Sequence, residues 1–385
     1  MIKLLTIIGA RPQIIKASAI SRAIQSKFES KINEIIVHTG QHYDDEMSNV
    51  FFDELSIPEP KYNLNVGSGS HGQQTAKMID GLESIVLKEK FDGILVYGDT
   101  NSTLAGAIVG SKLHIPIFHI ESGLRSFNKK MPEEINRIVT DQCSTLLFTP
   151  TMTGKLNLQR EGFNFNEKLP ISFDNPAVYH SGDVMLDNSL FFAKFSIEKS
   201  QIIKELEVQQ NNFILCTIHR DTNTDDPTKL KSIFEALIQI INLYEIDVIL
   251  PLHPRTRKMI LKIEDNNFHK LLEENKKLKM VNPLGFYDII ELERNSKLII
   301  TDSGGVQKEA YFFGKQCVIL REQSEWVEII ENGCALLAGS DKKKILESTE
   351  YFIQNPKTKF PSIFGDGKAS EFILNCIKNY FENKN

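Results

Sequence analysis

The sequence predicts an α/β protein with two tandem domains, each built on a parallel β-sheet with helices on both faces. Short apolar runs alternate with segments of helical spacing, and this alternation favours a parallel sheet. It occurs in both halves of the chain, and 385 residues are too many for one ordinary core. The candidate strands are residues 3–8, 34–39, 93–97, 115–119 and 145–149 in the first half, and 213–218, 247–252, 279–281, 297–301 and 316–320 in the second.

The domain boundary is predicted near residues 179–187, where a short strand meets a Ser-Gly-Asp turn and Asp183 is placed to cap the next helix. We therefore predict an N-terminal domain at 1–182, a C-terminal domain at 183–366, and a segment 367–385 whose helix packs back on the first domain. Because no long linker separates the two Rossmann-like domains, we expect them to face each other across a cleft.

The stretch LIITDSGGVQKEAYFFGK, residues 298–315, predicts an anion site. A buried strand stops at a turn of small residues, and a helix begins there. The first backbone N–H groups of that helix then point at whatever lies above the turn.

Composition excludes several classes of protein. The hydrophobic content is 41%, the charged content is 25%, and the formal net charge of -5 gives no reason to expect a nucleic-acid or membrane-surface partner. No apolar run is long enough for a transmembrane helix, and the first ten residues fit a buried strand better than a signal peptide. The five cysteines are scattered, which is typical of reduced core residues in a cytoplasmic protein.

Ligands of open parallel sheets bind beyond the carboxyl ends of the strands, so the polar residues after each apolar run are the candidates for a site. The first half offers Arg11, Lys16, Asp99, His119, Glu121, Arg125, Glu133, Glu134 and Arg137. The second half offers His219, Arg220, His253, Arg255, the turn Ser303, Gly304 and Gly305, and Arg321.

Taken singly, most of these residues also have a structural interpretation. Asp99 can cap the next helix, Glu133 and Glu134 can favour a helix N-terminus after Pro132, and His219 can be a core histidine. The sequence contains no Walker spacing, no G-x-G-x-x-G after the first strand, no G-x-S-x-G and no Cys-x-x-Cys. Carboxylic acids, one histidine and an anion site remain, and they suit proton transfers on a phosphorylated or nucleotide-linked substrate.

Seven separated motifs occur in the order seen in one enzyme family. They are TIIGARPQIIK, GQHYD, VYGDTNSTLAG, HIESGLRSFNKKMPEEINR, IHRDTN, LHPRTR and TDSGGVQKEA, and they cover nearly the whole chain. The chain thus resembles the non-hydrolysing UDP-N-acetylglucosamine 2-epimerases. The resemblance implies a GT-B fold, interconversion of UDP-GlcNAc and UDP-ManNAc without NAD or metal, and a homodimer.

The resemblance also implies roles for particular residues. Asp99, Glu121 and Glu133 match the catalytic acids of the family, and His219 matches the histidine that contacts the substrate diphosphate. Of the expected substrate-binding residues, Glu309 grips the ribose, Phe286 lines the uracil pocket, and the others are Arg11, Lys16, Arg137, Ser303, Gly304, Gly305 and Arg321.

Some features depart from the commonest family pattern. Gln13 stands where better-known members have Glu, Trp326 stands where they have Pro, and the loop at 126–131 is shorter. These features are similar to the branch of UDP-2,3-diacetamido-2,3-dideoxyglucuronate 2-epimerases of O-antigen synthesis. That substrate is therefore an alternative to UDP-GlcNAc. A GT-B glycosyltransferase, a hydrolysing epimerase and a nucleotide-sugar sensor are further alternatives.

Overall fold

Two parallel β-sheets form the framework of the protein. The structure is a computed structural model that describes residues 1–40, 57–165 and 170–383. It divides into two compact units, Met1–Asn188 with Ser362–Asn385, and Ser189–Pro361. All strand pairings in both sheets are parallel, which confirms the predicted α/β class. The predicted domain limits and the predicted cleft stay predictions.

The sheet of the first unit has the strand order β3-β2-β1-β4-β5-β6-β7. Its strands are β1 Ile2–Ile8, β2 Ile32–His38, β3 Tyr62–Asn63, β4 Gly93–Tyr97, β5 Ile117–Ile120, β6 Leu146–Thr149 and β7 Ala177–His180. The helices that begin in this part of the chain are α1 Arg11–Ala23, which continues as a π-helical turn at Ile24–Phe28, α2 His71–Lys88, α3 Asn101–Lys112, α4 Pro132–Cys143, α5 Met152–Arg160 and α6 Val184–Lys199.

The sheet of the second unit has the order β10-β9-β8-β11-β12-β13. Its strands are β8 Phe213–Thr217, β9 Asp247–Pro251, β10 Leu278–Val281, β11 Leu298–Thr301, β12 Cys317–Ile319 and β13 Ala335–Leu337. Its helices are α7 Ile202–Glu205, α8 Asp221–Thr224, α9 Pro227–Tyr244, α10 Pro254–Ile260, α11 Asn266–Glu274, α12 Phe286–Asn295, α13 Gly304–Phe312, α14 Val327–Glu331 and α15 Lys342–Gln354. The chain then returns to the first unit, where α16 is Ala369–Glu382.

The candidate strands of the sequence all correspond to strands of the structure, with ends that differ by no more than two residues. Their apolar runs are buried, as in β4, whose five residues are all buried. Two edge strands, β3 and β13, were not predicted. β3 has two residues, too short for an apolar run to reveal it, whereas β13 lies within the apolar run 334–338, which sequence reasoning did not assign to a strand.

Strand register brings the candidate residues to one edge of each sheet. In the first unit Tyr97 pairs with Ile120, so the turns after β4 and β5 lie at the same level. In the second unit Thr301 pairs with both Thr217 and Ile319, which places the turns after β8, β11 and β12 side by side.

Helix α16 packs within the first unit through an apolar face. Ile373, Leu374 and Ile377 are fully buried, and the ring of Tyr380 meets Phe118 of β5 edge to face, with centroids 5.8 Å apart. The carboxylate of Asp187 accepts hydrogen bonds from the first two backbone N–H groups of the helix, at 3.1 and 2.8 Å, and so satisfies them. Among the described residues, no helix is long and apolar enough to cross a membrane.

Candidate active site

The turn after β1 is tied to the end of β4 by Gln13. The side-chain oxygen of Gln13 accepts hydrogen bonds from the N–H groups of Gly9 and Ala10, at 2.9 and 3.2 Å, and its amide donates to the carbonyl of Tyr97 at 2.9 Å. A Cβ atom on Gly9 would lie 2.1 Å from the Ser102 hydroxyl oxygen, so only glycine fits there. The sequence analysis noted Gln13 as a departure from the commonest family pattern but missed its role in linking the two turns. The signal for that role was its position three residues after Ala10, the spacing of a capping box.

Lys16 and Glu121 form an ion pair at the carboxyl edge of the first sheet. The Lys16 ammonium lies 2.7 Å from a Glu121 carboxylate oxygen, and each side chain is 11% exposed. Glu121 follows β5 directly and has φ of 71°, a left-handed conformation that is uncommon for a residue with a side chain. Such strain concentrates at functional sites, which supports the prediction made for Glu121.

Asp99 follows β4 and pairs with a second buried cation. Its carboxylate lies 2.5 Å from the Arg137 guanidinium, and the same guanidinium donates to Glu134 at 3.0 Å. Burial raises the pKa of Asp99 above its ordinary value, while Arg137 and Lys16 oppose this shift and the charge of Glu121 adds to it. Asp99 and Glu121 therefore influence each other, and each carries its own positive partner.

Two adjacent acids at the start of α4 have different environments. Glu133 is exposed, whereas Glu134 is 1% exposed and accepts hydrogen bonds from the N–H groups of Ser126 and Phe127, at 2.8 and 2.9 Å. Burial alone would raise the pKa of Glu134, but these donors and Arg137 bring it below its ordinary value. Glu134 thus holds the short loop at 126–131 with Phe127 in a left-handed conformation and 76% exposed.

Asp302, in the turn after β11, organises the corresponding edge of the second sheet. Its buried carboxylate accepts hydrogen bonds from the N–H groups of His219 and Arg220 and from the amide of Asn223, at 3.0 to 3.1 Å. One of its oxygens lies 3.3 Å from Nδ1 of His219. Burial lowers the pKa of His219, and Asp302 partly opposes this shift. Sequence reasoning missed the anchoring role of Asp302, although it quoted the turn.

The turn at 303–305 opens helix α13 as predicted. The hydroxyl of Ser303 caps the helix by accepting from the N–H of Val306 at 3.4 Å. A Cβ atom on Gly305 would meet only the Ser303 hydroxyl oxygen, at 3.8 Å, and one on Gly304 would make only ordinary contacts at 3.7 to 3.8 Å. Neither glycine has a left-handed φ, so neither backbone conformation nor packing requires glycine here. The open space above the turn suits a ligand.

Basic and aromatic side chains surround this turn. Arg321, which follows β12, makes a bidentate pair with Glu325, with both contacts at 2.9 Å. The indole N–H of Trp326 donates to the carbonyl of Gly304 at 3.0 Å, and the Lys308 ammonium lies 4.3 Å from the centre of the indole ring. Cations near the start of a helix increase its attraction for an anion.

Helix α13 also carries the predicted ribose ligand, Glu309. Glu293 of α12 is fully buried and has a pKa well above its ordinary value because of burial and the Glu309 charge. Within the described part of the chain, neither oxygen of Glu293 has a hydrogen-bond partner, so no hydrogen bond offsets the cost of burying its ionised form. Sequence reasoning missed Glu293 because it lies inside a helix.

The remaining predicted residues lie in different settings. Arg11 is exposed at the start of α1. Phe286 is 7% exposed and packs edge to face on Phe192, with ring centroids 4.9 Å apart, so most of its ring is already covered. Arg255 pairs with Asp225 at 2.5 Å and is 45% exposed.

These features define a class of enzyme. One α/β unit has paired strand-end carboxylates, and the other has an open helix N-terminus among basic side chains; these features suit an enzyme that transfers protons on a ligand with an anionic group.

Comparisons with known proteins identify the family. A family profile described as UDP-N-acetylglucosamine 2-epimerase matches residues 25–378. A UDP-N-acetylglucosamine 2-epimerase homolog of Methanococcus maripaludis is 48% identical over 98% of this chain and 99% of its own length. The UDP-2,3-diacetamido-2,3-dideoxy-D-glucuronate 2-epimerase of Pseudomonas aeruginosa is 48% identical over 97% of this chain and 99% of its own.

A solved structure agrees with the family profile and with these two relatives. The crystal structure of the Methanocaldococcus jannaschii UDP-GlcNAc 2-epimerase in complex with UDP-GlcNAc and UDP has a TM-score of 0.84 and 40% identity, covering 98% of this chain and 100% of that one. The chain belongs to the UDP-N-acetylglucosamine 2-epimerase family. This confirms the resemblance, the GT-B-like fold class and the isomerase class predicted from the motifs.

Proposed function

We propose that this protein is a non-hydrolysing epimerase that inverts C2 of a UDP-2-acetamido sugar and interconverts UDP-GlcNAc and UDP-ManNAc. The observation that carries the proposal is the pair Asp99 and Glu121, which end adjacent strands, influence each other's charge and have separate buried counter-cations. Two protonic groups that address opposite faces of one carbon are what inversion at C2 requires.

The chemistry explains why an anion site is needed as well. No carbonyl group lies next to C2 to acidify its hydrogen, so direct proton removal is too costly. In the proposed reaction a base takes the C2 proton, the electron pair forms a C1–C2 double bond, and the C1–O bond breaks to release UDP. Protonation of the resulting 2-acetamidoglucal on the other face and return of UDP to C1 give the epimer.

We assign proton transfer to the set Asp99, Glu121 and Glu133, without fixing which acts in each direction. The departing diphosphate gains charge, and the N–H groups at 303–305 together with His219 stabilise it. Arg11, Lys16, Arg137 and Arg321 add positive charge, Glu309 binds the ribose, and Phe286 lies at the uracil.

Proton NMR of the reaction in deuterated water tests the proposal. The epimerase exchanges the C2 hydrogen with solvent, so deuterium is expected at C2 of the recovered UDP-sugar and of its epimer. Turnover with the C2 hydrogen retained would instead favour a GT-B glycosyltransferase, and release of free ManNAc with UDP would favour a hydrolysing enzyme. We expect Glu121→Gln and His219→Ala to lower turnover at least about a hundredfold. Glu83→Gln, at an exposed position of α2, is the matched control.

A second substrate, the diacetamido-glucuronate UDP-sugar, is favoured by a specific feature. Lys129 and Lys130 are exposed in the loop that Glu134 holds in place, and the uronate carboxylate would offer them a negative partner. If this sugar is the substrate, changing both lysines to Gln raises its KM and leaves the KM of UDP-GlcNAc unchanged. Equal effects on both sugars would contradict this choice.

The proposal includes a cytoplasmic homodimer that needs neither NAD nor metal. Sedimentation analysis of the purified protein tests the dimer. Activity after dialysis against a chelator and without added nicotinamide nucleotide tests the cofactor requirement.

A further inference from the structure

A group of charged side chains, three of them buried and the fourth, Glu161, exposed, lies behind the strand ends that carry Asp99 and Glu121. It consists of His119 on β5, Asp141 on α4, Arg125 in the loop after β5, and Glu161 just beyond α5. The side chains of His119 and Asp141 are completely buried, and that of Arg125 is 1% exposed. None of the chemistry proposed above uses any member of this group.

His119 faces an oxygen atom on each side of its ring. Nδ1 lies 2.7 Å from Oδ1 of Asp141, and Nε2 lies 2.8 Å from the carbonyl oxygen of Gly98. A carbonyl oxygen can only accept, so Nε2 must carry a proton. Nδ1 must also carry one if Asp141 is ionised, because two lone pairs would otherwise meet at 2.7 Å.

Asp141 is held in its ionised form. Burial alone would raise its pKa, but contacts with His119 and Arg125 bring the pKa below its ordinary value. The contacts with Arg125 and with the N–H of Gly123 favour the ionised form whatever the charge on His119. Its second oxygen lies 2.7 Å from the Arg125 guanidinium and accepts from the N–H of Gly123 at 3.2 Å. Arg125 also makes a bidentate pair with Glu161, at 2.7 and 2.6 Å.

We propose that His119 is a positioning residue, present as a doubly protonated imidazolium whose two N–H groups fix the backbone on either side of the reacting carboxylates. One N–H orients the carbonyl of the peptide that joins Gly98 to Asp99. The other holds Asp141, which in turn fixes the N–H of Gly123, two residues after Glu121. The role of His119 in catalysis rests on the proposed function of Asp99 and Glu121, whereas its protonation rests on the positions of the two facing oxygens and on the ionised form of Asp141.

Histidine-detected ¹H–¹⁵N NMR of the unmodified protein tests the protonation without any substitution. We expect one ring with two N–H resonances that exchange slowly with water at neutral pH, since the ring of His119 is completely buried. Their absence would overturn the imidazolium.

Kinetics of His119→Gln test the positioning. A glutamine amide can donate to one of the two oxygens but carries no charge, so the carboxylates lose their alignment. We expect kcat to fall at least about tenfold with KM nearly unchanged, because a displaced catalytic group costs rate and not substrate binding. Loss of the paired N–H resonances in the same variant identifies them. The matched control is His114→Asn, at an exposed position with φ of 57° that asparagine tolerates; it should retain full activity.

The outcomes separate the two proposals. An unmodified protein that epimerises neither UDP-sugar refutes the proposed function and, with it, the positioning role, while the NMR measurement still decides the protonation. An active unmodified protein with an equally active, folded His119→Gln variant refutes the positioning role alone. If His119→Gln does not fold, Arg125→Lys is the second variant. It keeps the positive charge but breaks the bidentate pair with Glu161 and so holds Asp141 less firmly. An unchanged kcat in that variant would also overturn the positioning role of His119.

Discussion

Replacement of Gly305 by alanine separates ligand binding from folding at the start of α13. The new Cβ atom would meet only the Ser303 hydroxyl oxygen, at 3.8 Å, so the folded protein accommodates it without strain. Alanine also restricts the unfolded chain more than glycine does. We therefore expect the variant to gain about 0.4–1 kcal/mol in free energy of unfolding and to show an equal or slightly higher Tm.

Binding of UDP is expected to change in the opposite direction. A diphosphate oxygen must come within about 2.9 Å of the backbone nitrogen to accept its hydrogen bond, and the added methyl group occupies the space beside that nitrogen. Losing one hydrogen bond to a charged group costs about 1.5–3 kcal/mol. At about 1.4 kcal/mol per factor of ten, the Kd for UDP should rise roughly tenfold to more than a hundredfold.

Isothermal titration with UDP and a thermal melt of the same samples provide the measurement. Gly72→Ala is the matched control, because Gly72 is also the second residue of its helix and a Cβ atom there would contact nothing within 4 Å. It should show a similar gain in stability without a change in the Kd for UDP. Unchanged affinity for UDP in a stable Gly305→Ala variant would refute the assignment of this turn to the diphosphate.

Three further predictions concern substitutions of single residues. Asp99→Asn should lower epimerisation at least about a hundredfold, and should slow deuterium exchange at C2 to the same extent. Glu293→Gln removes a group whose pKa is raised on folding through burial and the charge of Glu309. The folded protein binds more protons than the unfolded chain above the ordinary Glu pKa, so wild-type stability should fall as pH rises, by up to about 1.4 kcal/mol per pH unit, relative to the variant. Denaturation at pH 5 and 8 checks this, and a constant difference would contradict it. Gly9→Ala would place a Cβ atom 2.1 Å from two hydroxyl oxygens, and should lower the free energy of unfolding by about 1–3 kcal/mol or more in a denaturant melt.

The sequence was sufficient to predict the fold because most of the parallel strands lie in continuous apolar runs bounded by turns. Buried on both faces, such strands cannot alternate between polar and apolar residues, and β4 and β11 are recognisable for this reason. The edge strand β3 lacks this signal because it is too short to form a run, whereas β13 lies within the apolar run 334–338 and was missed. Once the sheet is known, the register follows: neighbouring parallel strands end at the same edge, so the residues that come directly after them lie close together.

The ion-pair and hydrogen-bond partners of the site residues were harder to predict from the sequence than the places of those residues at strand ends. The sequence indicated that Lys16, Asp99, Glu121 and Arg137 lie at strand ends or near a helix start, but the pairing of Lys16 with Glu121 and of Arg137 with Asp99 depends on side-chain direction. Asp302 illustrates the same difficulty. Its partners at 219, 220 and 223 are about eighty residues away in the chain, and only the pairing of β8 with β11 brings them within reach.

Glu133 and Glu134 are the clearest example of what local sequence leaves open. Adjacent helical residues point about 100° apart, so one of two neighbouring acids faces the protein and the other faces solvent, and nothing in Pro-Glu-Glu decides which. The spacing to Arg137 does carry information, because residues three apart share a helix face and Glu134 meets Arg137 in this way at 3.0 Å. The buried acid then orders the loop at 126–131 and balances the cation that pairs with Asp99. The carboxylate of the exposed acid, Glu133, remains accessible to a substrate. A catalytic role for Glu133 is therefore compatible with a supporting role for Glu134 in the same turn of the helix.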